Sequence, residues 1–206
     1  MTQSERLSRQ IAFLMEADKL KSILRQTSLM DSSRQENSAE HSWHLVLVAM
    51  VLREHAPSAI DLIRVLQILT LHDLVEIDAG DTFAYDAVGL ETKVAREQAA
   101  ATRLFGLLPA DQAEEFRALW DEFEEQETME SRFANALDRL QPLLQNAGCD
   151  GGTWRTHNLT REAVLDRMAP VRTGLPSLWP TVLEVIDAFC AAGVLRIEDA
   201  KVDSPE

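Results

Sequence analysis

The sequence predicts an all-α protein, a single-domain helical bundle, and two observations carry that reading. Apolar residues recur at three- and four-residue spacing through most of the chain, which is the period of one helix face. The Val- and Ile-rich runs, such as residues 45–52 and 60–71, are too long and too free of Gly and Pro breaks to be short buried strands. With 206 residues and 46% hydrophobic content, the chain can bury one substantial core. A single domain over residues 1–198 is therefore expected, with 199–206 as a frayed tail.

Taken in order, Leu7, Ile11, Leu14 and Met15, continued by Leu20, Ile23 and Leu24, predict a first helix over residues 4–24. Residues 25–38 are polar and rich in Ser and Asn, so they read as a loop leading to a helix cap at Ser38. Residues 39–55 are apolar on nearly all sides, as a helix central to a bundle would be. Pro57 and Ser58 punctuate, residues 59–75 repeat the pattern, and Gly80 marks the next turn. A loop over 81–89 carries Phe83 and Tyr85. Helical patterns follow over 90–105, 109–125 and 128–146, the second opening with Pro109 and acidic residues as the helix dipole prefers. The stretch 148–152 breaks the chain, 160–168 is a short helix, and 176–192 is a last one that packs Leu178, Val182, Val185, Ile186 and Phe189.

The formal net charge of -14 excludes a surface built to coat nucleic acid, which needs clustered Lys and Arg. It leaves room for a small phosphorylated substrate, which needs only a local positive site. Cys149 and Cys190 lie outside any CxxC or Cys/His spacing, so neither a disulfide framework nor a structural zinc site is expected, and a reduced cytoplasm fits. No secretory signal is visible at the N-terminus. The longest fully apolar run, residues 45–52, is far short of the ~20 residues of a membrane helix.

Chemistry concentrates at Leu71-His72-Asp73-Leu74-Val75-Glu76-Ile77-Asp78-Ala79-Gly80-Asp81, where an apolar run closes on imidazole and carboxylate. Burying such groups is costly unless a cation or hydrogen bonds compensate. His41, in Ser38-Ala39-Glu40-His41-Ser42-Trp43-His44, and Asp138, in Phe133-Ala134-Asn135-Ala136-Leu137-Asp138, again place ligand-type groups in apolar helical patterns. Divalent metals accept neutral imidazole and carboxylate together. Adjacent ligands such as His72 and Asp73 diverge by ~100° on a helix, so neighbouring helices would have to complete the set. Taken singly, His41, His72 and Asp138 read better as partly buried, hydrogen-bonded histidines and a cap or salt-bridge carboxylate than as ligands.

The order His41…His72-Asp73…Asp138 resembles the HD-domain metal-dependent phosphohydrolases, and its details resemble their 5'-deoxynucleotidase-like branch, over residues 20–144. The resemblance implies one divalent ion (Mn, Co, Fe, Ni, Zn or Mg) on His41, His72, Asp73 and Asp138. It also implies that Glu76 handles the proton beside Asp73, that Arg25 holds the substrate phosphate, and that Asp81 lies near the substrate sugar. A nucleoside 5'-monophosphate is the substrate it implies. Arg34 is a second, weaker phosphate candidate. The Gly-Trp pair that follows the arginine in relatives is replaced here by Ser28-Leu29. His44 shares a face with His41, and the Trp154-Arg155-Thr156-His157 stretch is a candidate cover for the site entrance. The apolar coverage of several helices suggests a homodimer. Alternatives at this point are hydrolysis of another phosphate ester (a nucleotide diester or polyphosphate) and a non-catalytic nucleotide or metal sensor.

Overall fold

The structure, a computed structural model, describes residues 1–197. The expected tail over 199–206 lies outside the described residues. α1 (Gln3–Ala17) opens on Thr2, whose hydroxyl accepts from the Glu5 amide while the Glu5 carboxylate accepts from the Thr2 amide, a reciprocal cap. The helix ends earlier than its periodicity predicts. Residues 18–22 tighten into a 3-10 turn, and the chain then extends as β1 (Leu24–Ser28), antiparallel to β2 (Gln35–Asn37). The segment expected to be a loop is thus a small hairpin. Its polar strands lack an apolar alternation, so the sequence carried no strand signal. What alternates is burial: Arg25 and Thr27 turn inward while Leu24 and Gln26 face solvent.

Asn37, not Ser38, caps α2 (Ser38–Leu52). Its side chain accepts from the Glu40 amide at 3.0 Å and the Glu40 carboxylate accepts from the Asn37 amide at 3.2 Å, an arrangement worth about 1 kcal/mol. α3 (Leu62–Leu71) is capped by Asp61 and stops sooner than the predicted boundary at residue 75. Residues 72–75 form turns, α4 (Glu76–Ala79) is a single helical turn, and Gly80, at φ 73° and ψ 151°, ends it in a conformation restricted to glycine.

α5 (Ala87–Phe105), α6 (Ala110–Glu125) and α7 (Met129–Gly148) follow the predicted order. α8 (Gly152–Thr156) and α10 (Ala169–Gly174) are too short to leave a periodic signal and were not anticipated. α9 (Arg161–Arg167) and α11 (Trp179–Ala191) match the last predicted helices.

α7 is the axis of the bundle, with α2, α3, α6 and α10 packed around it. Phe133, Ala134, Ala136 and Leu137 are fully buried there against Leu45 and Ala49 of α2 and Val65, Ile68 and Leu69 of α3 in one contiguous core. Gly174 lets α10 approach α7 closely, since a Cβ at that position would lie 2.3 Å from the Arg132 carbonyl oxygen. Among the described residues, no helix is long and apolar enough to cross a membrane. Trp43, Leu47, Met50 and Val51 nevertheless form an exposed apolar stripe on α2.

Candidate metal centre

Three helices deliver the four predicted groups to one place. His41 comes from the first turn of α2, His72 and Asp73 from the turn that follows α3, and Asp138 from the middle of α7. His41 Nε2 lies 2.9 Å from Asp138 Oδ1 and 3.8 Å from Asp73 Oδ2, while His72 Nε2 lies 3.1 Å from Asp73 Oδ1 and 3.9 Å from Asp138 Oδ1. One ligand atom from each of His41, His72 and Asp73 falls within 4.8 Å of the others. The helix break after Leu71 solves the divergence of neighbouring residues: in turn geometry, His72 and Asp73 need not point 100° apart.

These residues fit a metal ion. His72 Nδ1 donates to the Leu69 carbonyl at 2.9 Å, which leaves Nε2 as the ring's free position, and that buried nitrogen has no hydrogen-bond partner. His41 Nδ1 donates to Gln141 Oε1 at 3.0 Å, so its Nε2 is likewise the ring atom presented to the carboxylates. Gln141 is held in turn by donating to Glu36 Oε1 at 2.9 Å. An outer set that fixes both the tautomer and the orientation of imidazole ligands is what metal sites require.

The electrostatics agree. Burial holds His72 below its ordinary value, hence neutral. Burial and Arg25 oppose charge on His41, but the carboxylates of Asp138, Glu36 and Asp73 prevail and raise it to about 9. A ring so placed stands in a field that also favours a bound cation. Burial works against Asp138, yet Arg139 and His41 keep it well below the usual carboxylate range.

Glu76 sits at the start of α4, buried, and accepts from Ser38 Oγ at 2.6 Å. Burial, reinforced by Asp73, raises its carboxyl well above the ordinary glutamate value, the condition a proton-transfer group needs near neutrality. The expected continuous helical face from His72 to Glu76 is corrected by the break at residues 72–75. Asp81, raised by burial, follows Gly80 and lies 3.9 Å from Arg25.

Arg25 is on β1, not at the end of the first helix, and its guanidinium donates to Asp73 Oδ2 at 2.8 Å, with Glu36 at 3.8 Å. Arg34 is not at the centre: exposed, it pairs with Glu40 at 2.6 Å. His44 reaches the Gln141 amide at 3.2 Å and so belongs to the support of His41. Trp154 is buried against Phe189, whereas His157 packs on Phe83 with ring centroids 4.3 Å apart.

The sequence reading missed Glu36, Gln141, Ser38, Arg139 and Arg96. Gln141 left a trace: with Asn135, Asp138 and Gln145 it continues a polar stripe at helical spacing along a helix otherwise rich in apolar residues. Ser38 looked sufficient as a cap. Arg96, from α5, donates to the Ala79 and Gly89 carbonyls and to Thr82 Oγ1, so it laces the loop that presents Asp81.

The centre opens into two adjoining clefts. The more polar one includes His72, Asp73, Glu76 and Asp138. The other is walled by Phe83, Tyr85, Leu143, Trp154 and Met168. Arg25, Asp81, Asp138, Arg139 and Arg167 border both.

The family model for the HD domain matches residues 17–179, most of this helical bundle and all four of the groups at its centre. The chain belongs to the HD domain family. It is 30% identical over 112 residues to human 5'-deoxynucleotidase HDDC2, an alignment covering 54% of this chain and 53% of that protein. It is also 30% identical over 114 residues to the Schizosaccharomyces pombe 5'-deoxynucleotidase hdd1, covering 53% and 56%. The chain thus spans about half the length of the curated relatives it matches. A crystal structure from Magnetospirillum magnetotacticum MS-1, described as a predicted metal-dependent phosphohydrolase, superposes with a TM-score of 0.89 at 50% identity, covering 93% of this chain and 96% of that one.

Proposed function

We propose that this chain is a metal-dependent phosphomonoesterase that releases phosphate from nucleoside 5'-monophosphates, deoxynucleotides among them. The observation that carries the reading is the convergence of two imidazole Nε2 atoms and two carboxylates at the mouth of a cleft that Arg25 and Glu76 also border. His41, His72, Asp73 and Asp138 would hold one divalent ion, drawn from Mn, Co, Fe, Ni, Zn and Mg. Such an ion supplies neutralisation of phosphoryl charge and makes water acidic enough to react near neutral pH.

This chain's own residues supply the rest. Arg25 presents a fork of donors suited to phosphate oxygens. Glu76, kept protonatable by burial and oriented by Ser38, moves a proton to or from the reacting oxygens. Asp81, on the cleft-lining loop that Arg96 braces, is the candidate to meet a sugar hydroxyl. The aromatic wall of Phe83 and Tyr85 offers a surface for the nucleoside.

The deoxynucleotidase names of the relatives support the monophosphate substrate, and the matching crystal structure supports the phosphohydrolase class. The exposed stripe of Trp43, Leu47, Met50 and Val51 supports a homodimer through α2, because a contiguous apolar patch of that kind marks an interaction face. A cytoplasmic location accords with the two free cysteines.

The test is a panel of nucleoside mono-, di- and triphosphates and cyclic diesters, assayed for phosphate, pyrophosphate and monophosphate, alongside elemental analysis of the purified protein. Phosphate release from 5'-monophosphates is expected, with Asp73→Ala losing both bound metal and activity. Full activity in Asp73→Ala would defeat the reading.

A further inference from the structure

Three arginines meet at the seam between the two clefts, and two of them are answered by the fold. Arg25 is engaged by Asp73 at 2.8 Å, and Arg139 by Asp138. Arg167, at the end of α9, borders both clefts yet makes no hydrogen bond or ion pair with any described residue. It is partly buried, and burial together with neighbouring Arg139 pulls its guanidinium down to about 10.

Withdrawing a guanidinium from water without an acceptor costs free energy, and the cost persists in a folded protein only if something else answers the charge. Asp138 favours the charge only from beyond ion-pair distance, and no carboxylate among the described residues pairs with it directly. The open space in front of Arg167 is the cleft itself, on the side where Asp138 and Arg25 mark the reacting end and Tyr85 the apolar wall. The group that answers it therefore arrives with the ligand and is anionic.

We propose that Arg167 is a binding residue for the substrate phosphate, taking a non-bridging oxygen from α9 while Arg25 approaches from β1. The inference rests on the phosphomonoester reading above and adds a second guanidinium to it. The fork geometry of arginine gives paired donors to phosphate oxygens. Because an uncharged nucleoside makes no such contact, the same residue favours a phosphorylated ligand over the dephosphorylated product and makes inorganic phosphate a competitor.

The experiment titrates the metal-loaded protein with inorganic phosphate, followed by thermal melting and by inhibition of nucleotide hydrolysis, in wild type, Arg167→Met and Arg167→Lys. Arg167→Met is expected to weaken phosphate binding and raise KM for a nucleoside 5'-monophosphate roughly ten- to hundredfold, with kcat changed far less. Arg167→Lys should recover part of the loss. Without phosphate, the melting temperature of Arg167→Met should equal or exceed that of wild type, since an unanswered charge has been removed. Unchanged phosphate affinity in Arg167→Met would overturn the proposal, as would a lowered melting temperature in both variants, which marks a structural role. If wild type neither binds phosphate nor hydrolyses monoesters, the phosphomonoester reading itself fails; if it does both and Arg167→Met is indistinguishable from it, only the role of Arg167 does.

Discussion

Ser38 and Glu76 are hydrogen-bonded at 2.6 Å across the interior, joining the first residue of α2 to the single turn that follows the break after α3. The hydroxyl donates to a carboxylate whose burial favours the neutral form, so it offsets part of that bias toward protonation. Ser38→Ala removes the donor and drives the Glu76 carboxyl further up. The acidic limb of the kcat/KM profile should therefore move to higher pH. At neutral pH, kcat/KM should fall roughly three- to tenfold. A pH-rate comparison of the two proteins checks both, and an unmoved acidic limb would remove Glu76 from proton transfer.

The chain of contacts from Glu36 through Gln141 to His41 Nδ1 governs which ring nitrogen faces the carboxylates. Gln141→Leu takes away the acceptor that fixes the ring. Metal affinity is expected to drop roughly 10- to 100-fold, measured by competition with a chelating dye, while the fold persists by circular dichroism.

Arg96 ties the carbonyls on either side of the Asp81 loop to α5. In Arg96→Ala the loop loses several charge-assisted bonds, each worth about 1.5–3 kcal/mol where buried. KM should rise more than kcat falls, and amide exchange in residues 80–86 should accelerate without a comparable change in α7.

Gly174 touches the α7 backbone with no room for a methyl group. Gly174→Ala is expected to destabilise the protein by about 1–3 kcal/mol through overpacking, seen as a lower urea midpoint. Gly80→Ala should cost a similar 1–3 kcal/mol for a different reason, since space is open there and only the backbone conformation is strained.

The helices were legible because they rest on local pattern, and the four groups at the centre because their order along the chain resembles that of the HD-domain family. The apolar period marks α2, α3 and α7, and an imidazole or carboxylate inside such a run is conspicuous. What escaped is set by tertiary contact. The β1–β2 hairpin is built of polar residues whose strand character comes from pairing, not propensity. The break at residues 72–75 has no Gly or Pro to mark it, and Arg167 gains its meaning only from a cleft assembled out of β1, α7, α9 and the Asp81 loop.

The β1–β2 ribbon pairs Leu24 with Asn37 and Ser28 with Gln35, so five residues on one strand face three on the other. That mismatch decides which side chains of the longer strand look toward Asp73. Deleting Leu24 would bring Arg25 to the outward-facing place opposite Asn37, swinging a guanidinium toward solvent and bringing the uncharged amide of Gln26 to the place it left. A centre with all four of its histidines and aspartates intact could in that way be silenced by a change of strand phase alone.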